Sequence, residues 1–338
     1  MKQKPNPEIL SYLKCCLRNL QNEEQNAYLD AYVTKETEKK MQRALKAAGQ
    51  KEFDGPKAEW PSLFLSAEDW KQNPYYQNIR LDQVSDGGFR YEKEWIEGGY
   101  LFNAEAIQDD PDRSCADWMK LRALDQDVEG IYLYQNDEDW MMCAPSEAYT
   151  NDPPAHKAHG KVLTFGLGIG YFVYMTMRNP SVSSITVVEK SPQVLDMFRK
   201  NLLPQFPDQV PLRLIEGDAL DWFQKDALSE FDYIYTDIWR SSEDGLDWME
   251  KLLEQDVPSL DQADFWIEDS CILPMRTLLV MAMYEWFTGV HQKTAPGWEA
   301  RMKKTRTYLS SLDHVPDDPE SLKTMLYDRM VYRNILSL

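Results

Sequence analysis

The chain has 338 residues, 43% of them apolar and 12% aromatic, and carries a formal net charge of −19. Such a length and apolar content suit a folded core with an accessory region and exclude a disordered chain. The acidic excess opposes the phosphate neutralisation that nucleic-acid binding needs, so it counts against that partner and suits a neutral or cationic small molecule.

The opening Met1-Lys2-Gln3-Lys4-Pro5-Asn6-Pro7 has no apolar leader run. The longest apolar stretch, near Thr277–Phe287, is too short and interrupted to span a bilayer. A cytoplasmic protein with no membrane partner is expected. Residues 8–48 read as helices, with Ile9, Leu13, Leu17 and Leu20 at helical spacing. Gly49 and the turn Asp54-Gly55-Pro56 close this N-terminal helical segment, residues 1–55. From 56 to 154 short aromatic runs such as Gly88-Phe89-Arg90-Tyr91, Tyr100-Leu101-Phe102, Ile131-Tyr132-Leu133-Tyr134 and Trp140-Met141-Met142 alternate with Asp-Gly, Gly-Gly and Asn-Asp breaks. This is strand-and-turn chemistry, a small β-containing accessory region whose aromatics form either ordinary core or the surface of a homodimer. Asn151-Asp152-Pro153-Pro154 reads as its boundary.

Strands and helices alternate through 155–273. Strand 161–165 leads to a helix near 170–178. Strand 185–189 is followed by Ser191-Pro192, a helix start, and a helix to about 201. Leu212–Ile215 precedes a helix from about 219; Phe231–Thr236 precedes a helix near 245–254 and a strand at Phe265–Ile267. The tail, 274–338, reads as helical. The expected architecture is an α/β, Rossmann-like doubly wound fold with a mainly parallel sheet, an N-terminal helical/β accessory region and a helical C-terminal tail.

The run Val162-Leu163-Thr164-Phe165-Gly166-Leu167-Gly168-Ile169-Gly170 reads as a buried strand breaking into a glycine turn that opens a helix. Successive strand ends then carry Glu189, Asp218 and Asp237. In an open parallel sheet those ends line one crevice, where ligands sit. Gly166, Gly168 and Gly170 let the backbone approach a ligand, and the following helix N-terminus offers unpaired N–H groups. Glu189 can accept both hydroxyls of a ribose. Asp218 can accept the exocyclic amine of adenine or cap a helix, while the Ala219 N–H meets a ring nitrogen. Trp222 or Phe223 is a candidate to stack on the base. Asp237 is the candidate catalytic or substrate-positioning group, with a cap or loop hydrogen bond as its plainer role. Trp239 either walls the substrate pocket or packs. His156 and His159 read as surface residues. No His, Cys or Asp cluster has metal-ligand spacing, so no metal is expected. The five cysteines (Cys15, Cys16, Cys115, Cys143, Cys271) include no Cys-x-x-Cys pair and read as reduced, mostly buried thiols.

Over roughly 155–270 the chain resembles class I S-adenosylmethionine-dependent methyltransferases. The resemblance rests on Gly166-x-Gly168-x-Gly170, Glu189 at the second strand's end, Gly217-Asp218-Ala219 after the third, and Phe-Asp-Tyr-Ile-Tyr-Thr-Asp leading to Asp237. It implies S-adenosyl-L-methionine as cofactor. It also implies a methyl acceptor, small molecule or protein, placed beside the fourth strand for direct attack on the sulfonium methyl. The layout is also similar to spermidine synthase-like aminopropyltransferases. Against their pattern, the loop aspartate is Ile169, the second-strand Glu-x-Asp is Glu189-Lys190-Ser191, and the second acid of the fourth-strand Asp-x-x-Asp is Arg240. A dinucleotide fingerprint requires a third glycine where Tyr171 stands, and no Gly-Lys-Ser/Thr of a phosphate-cradling loop follows. A scaffold that binds the cofactor without transfer completes the alternatives.

Overall fold

The structure, a computed structural model, describes residues 6–20, 26–50, 60–105, 108–109, 115, 117–255, 257 and 260–338. The expected turn Asp54-Gly55-Pro56 lies outside them. Helix α1 (Pro7–Leu20) buries Ile9, Leu13 and Cys16 on one stripe, and α2 (Glu38–Ala47) follows. A four-stranded antiparallel sheet comes next, in the order β1 (Val84–Asp86), β2 (Phe89–Ile96), β3 (Val128–Gln135), β4 (Glu138–Met142). Its two tight hairpins place Gly87-Gly88 and Asn136-Asp137 at positive φ, as the twist of two-residue connections demands. A smaller cluster around Val33, Leu45, Leu63, Leu101 and Leu121 packs separately from the main core.

The main layer is a five-stranded, wholly parallel sheet. Helix α3 (Pro145–Lys157) precedes β5 (Gly160–Phe165), which is followed by α4 (Tyr171–Met177) and β6 (Val182–Glu189). Then come α5 (Pro192–Met197), β7 (Leu212–Glu216), β8 (Tyr233–Thr236), α6 (Ser242–Leu253) and β9 (Ala263–Phe265). The spatial order is β7-β6-β5-β8-β9, so the chain reverses direction across the sheet at β5. In β5 the residues Val162 to Phe165, and all of β8, are buried, as strands covered on both faces must be. The tail folds into α7 (Leu273–Thr288), α8 (Glu299–Ser311), α9 (Pro319–Tyr327) and α10 (Arg329–Leu336). No helix among the described residues is long and apolar enough to cross a membrane.

Three local expectations are corrected. Asn151-Asp152-Pro153-Pro154 is helical, inside α3, despite the two prolines. Burial of Asn151 and its bond from the Tyr235 hydroxyl, at 2.9 Å, hold the turn that local propensity disfavours. The last strand ends at Phe265 rather than Ile267, because Ile267 turns into the left-handed region at φ +46°. Cys16 and Cys115 are not free thiols; they form a disulfide between Cα atoms 4.8 Å apart, whereas Cys15, Cys143 and Cys271 are free. Spacing rules are blind to two cysteines 99 residues apart that packing brings together.

Candidate active site

A cavity of about 400 Å³ opens at the carboxyl ends of β5, β6, β7 and β8. The reversal at β5 separates the loops after β5 and β8, which is where open parallel sheets form crevices. Of the site residues named from the sequence, Gly166, Gly168, Glu189, Asp218, Ala219, Asp237 and Trp239 line it, whereas Gly170 and the stacking candidates Trp222 and Phe223 do not. Gly170 serves the fold instead. It sits at the N-cap of α4 with φ +75°, and a side chain there would strike the Phe198 and Phe206 rings.

The glycine loop is held from outside. The buried hydroxyls of Tyr75 and Tyr91 donate to the carbonyls of Ile169 (2.6 Å) and Gly168 (2.9 Å). Both tyrosines belong to the accessory region, which therefore sets the loop's shape as well as covering it. Ile169 is fully buried and Tyr171 spends its hydroxyl on Asp152 and Asn73, both at 2.8 Å. Neither side chain is among those lining the cavity.

Glu189 fastens the loop to its own strand end. Its carboxylate accepts the Leu167 N–H at 3.0 Å on one oxygen and the Ser191 N–H at 2.8 Å on the other. Burial raises its pKa above the ordinary carboxylate value, and the two N–H groups pull it back. Each oxygen keeps a lone pair for a hydroxyl from the cavity side. Asp218 caps the short turn Ala219–Trp222 through the Leu220 N–H at 3.0 Å. Its other oxygen pairs with the exposed Lys190 ammonium at 2.8 Å, which lowers its pKa. An amine donor from the cavity competes with that solvent-exposed lysine, whose pairing with the half-buried Asp218 is weak and costs little to replace. Phe223 is not a base-stacking residue: it is fully buried between Phe165 and Phe265. Trp222 packs beside Gly217 and does not line the cavity.

Asp237 stands at the tip of β8, its N–H bonded to the Phe165 carbonyl at 3.0 Å. Burial alone raises its carboxyl to about 7. Trp239 is buried, stacks on Phe265 and contributes to the wall. Sequence reasoning missed Glu147 in the first turn of α3. It enters the same cavity, and burial together with the Asp237 charge holds its pKa well above the carboxylate range. Nothing local marks it, since an acid in the first turn of a helix is ordinary. Also missed was the roof, formed by Phe89, Leu133, Trp140 and Met141 of the accessory sheet. Arg240 latches that roof to the β8 loop, donating to Glu138 at 2.6 Å and to the Asp139 carbonyl at 2.9 Å. His156 and His159 are exposed and lie off the cavity. Among the described residues no group of three or more His, Cys, Asp or Glu is arranged to hold a metal.

The Asp237 shift has a stability consequence. The folded state keeps the proton up to about pH 7, while the unfolded chain releases it near its ordinary value of 3.8. Stability therefore falls as pH rises between those values and is level above them. Asp237→Asn should raise the unfolding free energy at pH 8 by at most about 4 kcal/mol, read as a higher urea midpoint, and leave both unchanged below pH 3. Equal midpoints at pH 8 would show that Asp237 does not bear this cost.

No protein-family model matches the chain, and the comparison with curated proteins gave no match. Solved structures with partial likeness include the spermidine synthase of Thermotoga maritima, 15% identical over 52% of this chain and 50% of that one, TM-score 0.29. A protein of Porphyromonas gingivalis W83 assigned provisionally as a methyltransferase is 18% identical over 32% and 29%, TM-score 0.25. The shikimate dehydrogenase of Mycobacterium tuberculosis is 18% identical over 47% and 60%, TM-score 0.24. The chain thus spans between about a third and three-fifths of these structures. Likeness of this extent carries no argument about activity, and the functional reading rests on the cavity.

Proposed function

We propose that the chain is an S-adenosylmethionine-dependent methyltransferase acting on a small-molecule or protein acceptor. One observation carries this reading: Gly166, Gly168, Glu189, Asp218 and Ala219 converge on the cavity that also holds Asp237 and Trp239. The residues present suit the cofactor. Two glycines at positive φ put bare backbone on the cavity wall, Glu189 has acceptor capacity for a ribose diol, and Asp218 with Ala219 offers an acceptor and a backbone N–H for adenine. When bound, S-adenosylmethionine supplies an electrophilic methyl group on a sulfonium. The chain's part is then to orient an acceptor, exclude water with the aromatic and methionine roof, and take a proton at Asp237. A carboxyl near 7 is a stronger base than an ordinary aspartate, which suits that last task.

Calorimetric titration with S-adenosylmethionine or S-adenosylhomocysteine should show one site. Glu189→Ala should weaken it by about 10- to 100-fold, the worth of charge-assisted hydrogen bonds of about 1.5–3 kcal/mol. Glu189→Gln, which preserves loop packing better, should lose less. Absence of binding at millimolar ligand would end the proposal. The aminopropyltransferase reading has one observation in its favour, the second cavity carboxyl Glu147. It predicts turnover of decarboxylated S-adenosylmethionine with putrescine, and an inert mixture removes it.

A further inference from the structure

Glu147 and Asp237 also line the cavity, and neither is among the residues proposed above to hold the adenosine moiety. They come from different elements, the first turn of α3 and the tip of β8. Among the described residues neither side chain makes a hydrogen bond or an ion pair. Lys190, which lines the cavity, is paired with Asp218 at 2.8 Å, and Arg240, three residues past Asp237, with Glu138 at 2.6 Å. The Tyr235 hydroxyl is taken by Asn151 at 2.9 Å, and the Trp266 N–H by Thr150 at 2.9 Å. Aromatic surface therefore shares the cavity with the two acids, the Tyr235 and Trp266 polar handles being bonded to other partners, while the buried Trp239 N–H makes no hydrogen bond. Phe172 and Tyr235 stack at 4.1 Å, and Trp239 and Trp266 complete that wall.

Two carboxyls in one cavity without a counter-ion are a costly arrangement, since burial raises both pKa values and the Asp237 charge further disfavours ionisation of Glu147. A ligand cation relieves both, and the π faces add attraction for it. We infer that Glu147 and Asp237 together hold an ammonium group of the molecule bound in the cavity, with the aromatic wall around its methylenes. Such a group has two sources. It belongs either to an amine acceptor or to the amino-acid end of the cofactor. The second source rests on the methyltransferase reading; the first does not.

The test is calorimetry on the full chain with four probes: n-butylamine, n-butanol, S-adenosylhomocysteine and methylthioadenosine, which carries the same nucleoside without the amino-acid end. Glu147→Gln should weaken n-butylamine or S-adenosylhomocysteine by tenfold or more and leave methylthioadenosine unchanged. Loss confined to n-butylamine assigns the site to an acceptor; loss confined to S-adenosylhomocysteine assigns it to the cofactor. Asp237→Asn should repeat the pattern, which guards against a folding defect in one variant. Affinity for the sensitive amine should also rise from pH 6 to pH 8 as Asp237, whose carboxyl sits near 7, ionises. The titratable groups facing the two acids are Tyr235 on β8, Cys143 before α3 and Cys271 after β9, and burial pushes all three pKa values up, out of that window. The inference is overturned if both amine-bearing probes bind wild type and variants alike, or if n-butanol binds as tightly as n-butylamine. Failure of methylthioadenosine alone removes the adenosyl reading and leaves an amine site standing.

Discussion

Replacing Arg333 by methionine is expected to destabilise the fold by about 3–5 kcal/mol, because it strands a buried carboxylate. Glu268 is 2% exposed and Arg333 5%. The guanidinium meets Glu268 through two bonds of 2.7 and 2.6 Å. Its remaining donors reach the carbonyls of Leu260 at 2.8 Å and Ala263 at 3.0 Å. One side chain of α10 thus neutralises the turn after β9 and satisfies backbone at the start of that strand. β9 in turn flanks β8, which presents Asp237. Urea unfolding of Arg333→Met should show a large fall in midpoint. The double variant Arg333→Met, Glu268→Leu should recover much of it, because apolar partners leave no buried charge. A loss below about 1 kcal/mol in the single variant would mean that water reaches Glu268 and that the pair is not the clamp.

Gly166→Ala should abolish ligand binding in the cavity by roughly 100-fold or more, about 2.7 kcal/mol. Gly166 has φ +89°, where an L side chain is strained by about 1–2 kcal/mol. Its added Cβ also runs into the Asp237 carbonyl oxygen, which is backbone and has no rotamer to escape into. The tips of β5 and β8 must then move apart, so both the glycine loop and Asp237 shift together. Gly168→Ala meets only the sulfur end of Met141, a flexible side chain, and should lose less. Calorimetry with S-adenosylhomocysteine on both variants, with circular dichroism as the folding control, reads the difference. Equal losses would remove the distinction between backbone and side-chain obstruction.

The sheet and most of its site were legible because both follow from local chemistry. Continuous apolar runs such as Val162–Phe165 are what a strand buried on both faces needs, and Ser191-Pro192 is a helix start that Ser191 carries out by accepting the Val194 N–H at 3.2 Å. In a parallel sheet, residues at strand ends share one edge without further information, so Gly166, Glu189, Asp218 and Asp237 were bound to meet once the strands were read. Gly170 was misjudged because a positive φ at a helix start looks the same in sequence whether it serves a ligand or the Phe198 and Phe206 rings. Phe223 was misjudged because an aromatic after a strand end carries no mark of which way it faces.

By itself, then, the sequence determined the order of strands and helices, the glycine turn and the acids at the strand tips, since each depends on residues a few positions apart. Tertiary structure alone decided the rest. It added Glu147 from a helix whose prolines read as a break, and closed the cavity with a roof from the antiparallel sheet. It tied the glycine loop to Tyr75 and Tyr91, and joined Cys16 to Cys115. The physical reason is common to all four. Each is a contact between segments far apart in the chain, and its energy comes from burial and pairing that no local pattern records. The acidic surplus noted at the outset favoured a neutral or cationic small molecule without saying where it would bind; packing singles out two of those acids, which line the cavity with the aromatic wall and make no ion pair among the described residues.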